Sequence, residues 1–317
     1  MRVLISDKIA DNGIKLLQEQ GLEVVVNTEL NEEQLAQEVA NYDALIIRSK
    51  TKVTPKVLEN PGKLKVIGRA GTGVDNIDLP TATAKGIFVL NTPTANSTTV
   101  AEFAIALTMS LLRQIPRADA TMKAGQWLKK EFKGAELSGK TIGIIGFGNI
   151  GKRVALRLKA FETTILAYDP FLTPEEATKN QATAATLEEI YKQADIITIH
   201  VPLLPATKNM ISDAQFDQFK KGALLINASR GGIVDEQAMI RALQSGKLAG
   251  AALDVFEKEP LPTDSPLLTM ENVILAPHIG ASTKEAQDRA GVEVAEVIAE
   301  AVLKSTYKNL VNKELAK

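Results

Sequence analysis

Short apolar runs alternate with stretches of helical spacing along most of the chain. Residues 2–6, 22–27, 44–48, 64–68 and 87–90 read as strands, with amphipathic helices expected at 12–20 and 32–41. Such alternation builds a parallel sheet sheltered by helices on both faces, so the pattern predicts a doubly wound α/β domain. It then starts again, with strands expected at 141–145, 164–168, 196–200, 223–227, 250–253 and 273–275. Beyond Ser282 the spacing turns helical to about Val302, with Val294, Val297, Ile298 and Ala301 on one face and Glu293, Glu296 and Glu300 on another. That helix is expected to return to the first sheet, giving a discontinuous first domain, 1–96 plus 291–317, with a second domain, 97–290, inserted into it. The most apolar run, 100–112, is too short for the roughly 20 residues of a membrane span and carries Glu102. Its apolar residues cover nearly the whole circumference, so a helix buried on all sides is expected, within a domain or against a second copy of the chain.

The inserted segment opens on TIGIIGFGNIGKRVA, residues 141–155, in which Gly146, Gly148 and Gly151 fall at Gly-x-Gly-x-x-Gly spacing between a strand and a helix. The first glycine permits a tight turn, the second lets the backbone approach a pyrophosphate, and the third lets helix and strand pack closely. Free N–H groups at the helix start then meet the phosphate charge. The motif alone is weak evidence of a dinucleotide. Asp169, at the end of the next strand, strengthens it, because a carboxylate there accepts from both hydroxyls of the adenosine ribose. Its charge repels a 2′-phosphate, and Pro170 and Phe171 supply no cation, so NAD is expected over NADP. Two doubly wound parallel-sheet domains follow: a Rossmann NAD domain inserted into a flavodoxin-like, substrate-binding one.

At 317 residues the chain exceeds what one core usually supports, consistent with two domains. Lys plus Arg number 37 against 38 Asp plus Glu, a balance that offers no electrostatic case for nucleic acid or an anionic membrane and favours a small-molecule substrate. The absence of cysteine removes thiol nucleophiles and cysteine-ligated metals, and no metal is expected. The N-terminus enters a strand at once, without signal-peptide form, so a cytoplasmic protein is expected.

Ligands of open α/β sheets bind beyond the carboxyl ends of the strands. Three such ends of the inserted domain carry unusual residues: ASRGG after residue 227, Asp254 after 253, and APHIGAS after 275. Arg230, among small neighbours, offers a rigid donor fork for a carboxylate, although it could equally cap or salt-bridge a loop. The chain has two histidines. His278, before Ile279-Gly280 in a loop, is the stronger candidate for general acid and base, whereas His200, closing an apolar strand, is expected to pack. A working imidazole needs a group to fix its tautomer, and the nearby carboxylates are Asp254, Glu257, Glu259 and Glu271, with Glu257 and Glu259 near parity.

With the glycine turn, Asp169, ASRGG, DVFEKEP and PHIGAS in order, the chain resembles the D-isomer-specific 2-hydroxyacid dehydrogenases over essentially its whole length. Residues 67–78, 111–127, 231–260 and 278–291 look most like members whose substrate is D-3-phosphoglycerate. The resemblance implies a catalytic set of Arg230, Glu259 and His278, which breaks the tie with Glu257: Arg230 grips the substrate carboxylate and C2 oxygen, His278 exchanges the hydroxyl proton, and Glu259 orients His278. It assigns Asn149 and Ile150 to the pyrophosphate turn, Val201 and Pro202 to the adenine wall, and Ala228 and Asp254 to the nicotinamide carboxamide. Arg230, His278, Gly280, Ala281 and Thr72 are further implied cofactor neighbours. Gly71, Thr72 and Gly73 resemble a loop that binds the substrate carboxylate, with Asn96 beside it. Arg48 and Arg69 follow strands and are expected to hold a substrate phosphate, with Lys129 added from a second subunit of a homodimer. The rival implied activities are reduction of glyoxylate, hydroxypyruvate or pyruvate, and, from a corepressor in the same family, NAD sensing without turnover. The chain ends soon after its final helix, as either a naturally short form or a trimmed one would, which puts feedback through an added regulatory domain in doubt.

Overall fold

The first strand pattern forms β1 (Arg2–Ile5), followed by α1 (Asp11–Glu19), β2 (Glu23–Val26), α2 (Glu32–Glu38), β3 (Ala44–Ile47), β4 (Val66–Arg69), α3 (Leu79–Ala84) and β5 (Phe88–Asn91). This computed structural model describes residues 1–316. The five strands are parallel, in the order β2-β1-β3-β4-β5. Alternate residues serve opposite cores: Val3, Ile5, Ile46 and Val66 pack with Leu17 on one face, while Leu4, Leu45, Ile47 and Ile67 pack with Leu35, Val39 and Leu58 on the other. Burial on both faces is why these strands read as continuous apolar runs. α2 starts where Asn31 and Gln34 satisfy each other's backbone N–H groups.

A second sheet is built from α4 (Ser97–Arg113), α5 (Ile115–Lys123), β6 (Thr141–Ile145), α6 (Asn149–Lys159), β7 (Thr164–Tyr168), α7 (Pro174–Lys179), β8 (Thr183–Ala184), α8 (Leu187–Gln193), β9 (Ile196–Ile199), α9 (Asp213–Phe216), β10 (Ala223–Asn227), α10 (Glu236–Gln244), β11 (Leu248–Leu253) and β12 (Val273–Leu275). Its seven parallel strands run β12-β11-β10-β9-β6-β7-β8, so the winding reverses between β6 and β9. The seventh strand, beyond the six expected, is β8, whose two residues are too few to carry a period. Within this chain α4 is buried over part of its circumference, which leaves the rest open to burial against a second copy. Val100, Ala101, Ala104 and Leu107 are buried, but Glu102 and Ala106 stay exposed, and Glu102 pairs with Arg157 of α6 at 3.6 Å.

α11 (Lys284–Lys304) follows, and the chain divides into two units: Met1–Asn96 with the segment that begins at Ala281, and Ser97–Gly280. Ala290, Val294, Ala295 and Ile298 of α11 lie in the core of the first sheet. After it, Ser305 turns left-handed and the tail runs back along β5. Tyr307 stacks on Phe88 with ring centroids 3.6 Å apart, Leu310 bridges Leu90 antiparallel, and Val311 donates to the Val89 carbonyl. Buried Asn312 completes the seam, accepting from Val89 N and donating to Ile87 O and Thr83 Oγ1. β5 therefore has no open edge there, which removes a site of unwanted strand pairing.

Candidate active site

The glycine turn starts where β6 ends. Gly146 has φ +94°, and a Cβ there would lie 2.5 Å from the His200 carbonyl oxygen, so turn and close packing both require glycine. Gly148 precedes α6 without a side-chain cap, and a Cβ on it would meet nothing within 4 Å. α6, which begins at Asn149 and Ile150, thus presents an uncapped N-terminus to open space, the arrangement a pyrophosphate fits. Asp169 is locked in place: Oδ2 accepts from Phe147 N and Oδ1 from Phe171 N, each at 3.0 Å. Beyond β9, Val201 packs on the core while Pro202, Leu203 and Leu204 are exposed, an apolar lip after the strand next to the turn.

His200 shares a hydrogen bond between Nε2 and Thr198 Oγ1 at 2.9 Å, and its Nδ1 is buried without a partner. Burial pushes the imidazole down from the ordinary 6.5 to about 4. The folded protein keeps it neutral while the unfolded chain protonates it, so its stabilising effect is complete above pH ~6.5 and is lost as pH falls through ~4, by ~3 kcal/mol in all. In urea titrations the wild type should lose that much more stability than His200→Gln across this window. Parallel pH curves for the two proteins would refute the assignment.

The catalytic candidates sit on three neighbouring strand ends. At β10, buried Asn227 shapes the following loop: its Oδ1 accepts from Ser229 N and Oγ, and its Nδ2 donates to the Arg230 carbonyl at 3.0 Å. Arg230 is half-buried, with Nη1 donating to Ser229 O at 2.7 Å, and Ala228 is buried. At β11, Asp254 is 1% exposed, and its Oδ1 and Oδ2 accept from Ile279 N and Gly280 N at 2.8 and 2.7 Å. Burial pushes its carboxyl up, against the pull of those two N–H groups. Asp254 thereby pins the loop that carries His278, which itself has φ +54°.

Glu259 and His278 meet. Glu259 Oε2 lies 2.8 Å from His278 Nδ1, and Oε1 accepts from Phe256 N at 3.1 Å. This fixes the carboxylate and leaves His278 Nε2 without a hydrogen bond among the described residues. Glu257 is turned elsewhere: it and Glu236 accept from each other's backbone N–H at the start of α10. A cavity of about 550 Å³, lined by Phe256, Pro260, Leu261, Leu268, Leu275 and Pro277, adjoins the pair. A carboxylate-braced imidazole with one nitrogen open can accept a proton at a defined place and hold the charge it acquires.

In the first unit, Arg48 follows β3 and ties to Asp7 and Lys8 through its backbone N–H and Nη1. Arg69 closes β4, with Nη1 donating to Ala70 O at 3.4 Å. The 71–73 loop comes next. Thr72 Oγ1 donates to Asn96 Oδ1 at 2.8 Å, joining two residues expected at one place. Lys129 is exposed in the stretch after α5, and Ala281 lies in a turn closed by Thr283 N.

Residues 105–280 match the family model described as D-isomer specific 2-hydroxyacid dehydrogenase, NAD binding domain. The chain belongs to that family. It is 50% identical over 311 residues to D-3-phosphoglycerate dehydrogenase of Rattus norvegicus, which covers 98% of this chain and 58% of the relative. With the protein of the same name from Methanocaldococcus jannaschii it shares 48% over 314 residues, covering 98% of this chain and 59% of the relative. The chain spans about three fifths of the length of these curated relatives. A glyoxylate reductase structure from Paecilomyes thermophila superposes with TM-score 0.90 at 29% identity, covering 99% of each chain. The doubly wound α/β architecture read from the sequence is that of these family structures. Sequence reasoning missed the positioning role of Asn227. Its signal was an amide at a strand end ahead of a Ser-Arg loop.

Proposed function

We propose that this chain oxidises D-3-phosphoglycerate to 3-phosphohydroxypyruvate, the step that opens serine biosynthesis, using NAD. The observation that carries the chemistry is the 2.8 Å pairing of Glu259 with His278 in the same unit as the glycine turn and Asp169. When bound, NAD supplies the acceptor for the hydride that leaves C2. His278 Nε2 takes the hydroxyl proton in step with that loss, and Glu259 stabilises the resulting imidazolium. Arg230 donates to the substrate carboxylate and to the oxygen at C2, whose carbonyl character it favours. Gly146, Gly148, Asn149, Ile150 and Gly151 hold the pyrophosphate, Asp169 the ribose hydroxyls, Val201 and Pro202 the adenine, and Ala228, Asp254, Gly280 and Ala281 the nicotinamide end. The N–H groups of Thr72 and Gly73 take the substrate carboxylate, with Asn96 beside them, and Arg48 and Arg69 supply cations for the phosphate.

The domain assignment follows: the inserted segment binds NAD and the discontinuous one the substrate. Ile115 and Met122 of α5 and Trp127 after it are 51%, 53% and 78% exposed, apolar side chains that support a homodimer, with Lys129 close to them in sequence. No helix among the described residues is long and apolar enough to cross a membrane. The near balance of charge supports a small-molecule substrate rather than nucleic acid.

The likeness to a glyoxylate reductase favours a second reading, reduction of an unphosphorylated 2-ketoacid. Arg48→Ala with Arg69→Ala should raise KM for phosphohydroxypyruvate about 10-fold or more while changing KM for glyoxylate less than about 2-fold, as expected for lost charge-assisted contacts. Equal losses would favour the second reading, and NADH binding without turnover of any 2-ketoacid would mean a sensor.

A further inference from the structure

We infer that Asn91 and Asn309 are positioning residues that aim the N–H groups of the 71–73 loop at the substrate carboxylate, an inference that rests on the loop's role proposed above. The peptides of this loop are held by their carbonyls. Thr92 N donates to Gly71 O at 3.0 Å, and Asn91 Nδ2 donates to Thr72 O at 2.7 Å. A trans peptide is planar, with its N–H opposed to its C=O. Drawing the Gly71 and Thr72 carbonyls toward 91–92 therefore turns the N–H groups of Thr72 and Gly73 the other way. Those two N–H groups have no partner among the described residues, which leaves both donors available to an anion.

Asn91 is in turn fixed by the tail. Asn91 N donates to Asn309 O at 3.3 Å, and Asn309 Nδ2 donates back to Asn91 O at 3.2 Å. The same amide also donates to Glu293 Oε1 of α11 at 3.1 Å, whose other oxygen accepts from Thr94 Oγ1. Asn309 has φ +56°, a conformation asparagine tolerates better than most residues. A residue more than 200 positions away in sequence thus sets the donor geometry of the loop.

The test uses Asn309→Gly, which keeps the left-handed backbone and removes only the amide, and Asn91→Ala, which removes the donor to Thr72. Each should raise KM about 3- to 10-fold, equally for phosphohydroxypyruvate and hydroxypyruvate because both carry the carboxylate, with kcat and KM for NADH within about 2-fold. Gly73→Pro, which deletes one loop N–H, tests the loop itself. If Gly73→Pro raises KM and the two asparagine variants lower only Tm, the loop stands and the positioning role is wrong. If Gly73→Pro leaves KM unchanged, the carboxylate reading fails and takes this inference with it.

Discussion

His278→Asn is expected to lower kcat for hydroxyacid oxidation about 10²- to 10⁴-fold while leaving NADH affinity within about 3-fold, the usual loss for a deleted general base. Asparagine is the informative replacement because the site has φ +54°, which asparagine adopts at low cost, so the loop pinned by Asp254 survives the change. Only the proton acceptor is lost. Glu259→Gln should cost less, about 10- to 100-fold, because His278 itself remains, although the amide offers one acceptor oxygen to the two N–H groups of Phe256 and His278 and no charge to balance the imidazolium. Steady-state absorbance of NADH gives kcat, and quenching of protein fluorescence gives the affinity. A His278→Asn protein with more than a tenth of wild-type kcat would remove His278 from the reaction.

Sheet-forming segments were legible because burial on both faces writes itself as short apolar runs, and the glycine turn because a positive φ at Gly146 and an open approach at Gly148 admit few other residues. The approach of Glu259 to His278 was not readable from spacing, since Glu257 stands equally near in sequence. The choice is made by Phe256 N, which holds Glu259, and by Glu236, which occupies Glu257. The tail was illegible for another reason. YKNLVN carries no helical or strand period, and its hold on β5 comes in large part from side-chain hydrogen bonds of Asn309 and Asn312 to partners more than 200 residues away. The apolar circumference of α4 reports what the helix can bury, and in the chain by itself Glu102 and Ala106 remain exposed.

Gly231→Ala should abolish most activity, with kcat/KM falling about 100-fold or more, while neighbouring Gly232→Ala leaves it within about 3-fold. The two glycines are required for different reasons. Gly231 has no unusual φ, but a Cβ on it would collide with the Phe256 carbonyl and press on Glu257 N at 2.8 Å. Backbone cannot step aside as a side-chain end can, so the Arg230 loop and the Phe256 segment must part, costing about 1–3 kcal/mol. The same movement carries away Phe256 N, one of the two groups that hold Glu259, and so shifts the carboxylate from His278. A displacement of about 1 Å at such a pair is enough for the 100-fold loss. Gly232 has φ +75°, and a Cβ there meets only Leu203, at an ordinary 3.7 Å. Alanine at 232 therefore bears conformational strain of about 1–2 kcal/mol and nothing more. Tm and kcat/KM measured in parallel separate the cases: Tm should fall in both variants, but activity only in Gly231→Ala. Equal loss of activity in both would mean that the loop's conformation, rather than its separation from Phe256, governs the catalytic pair.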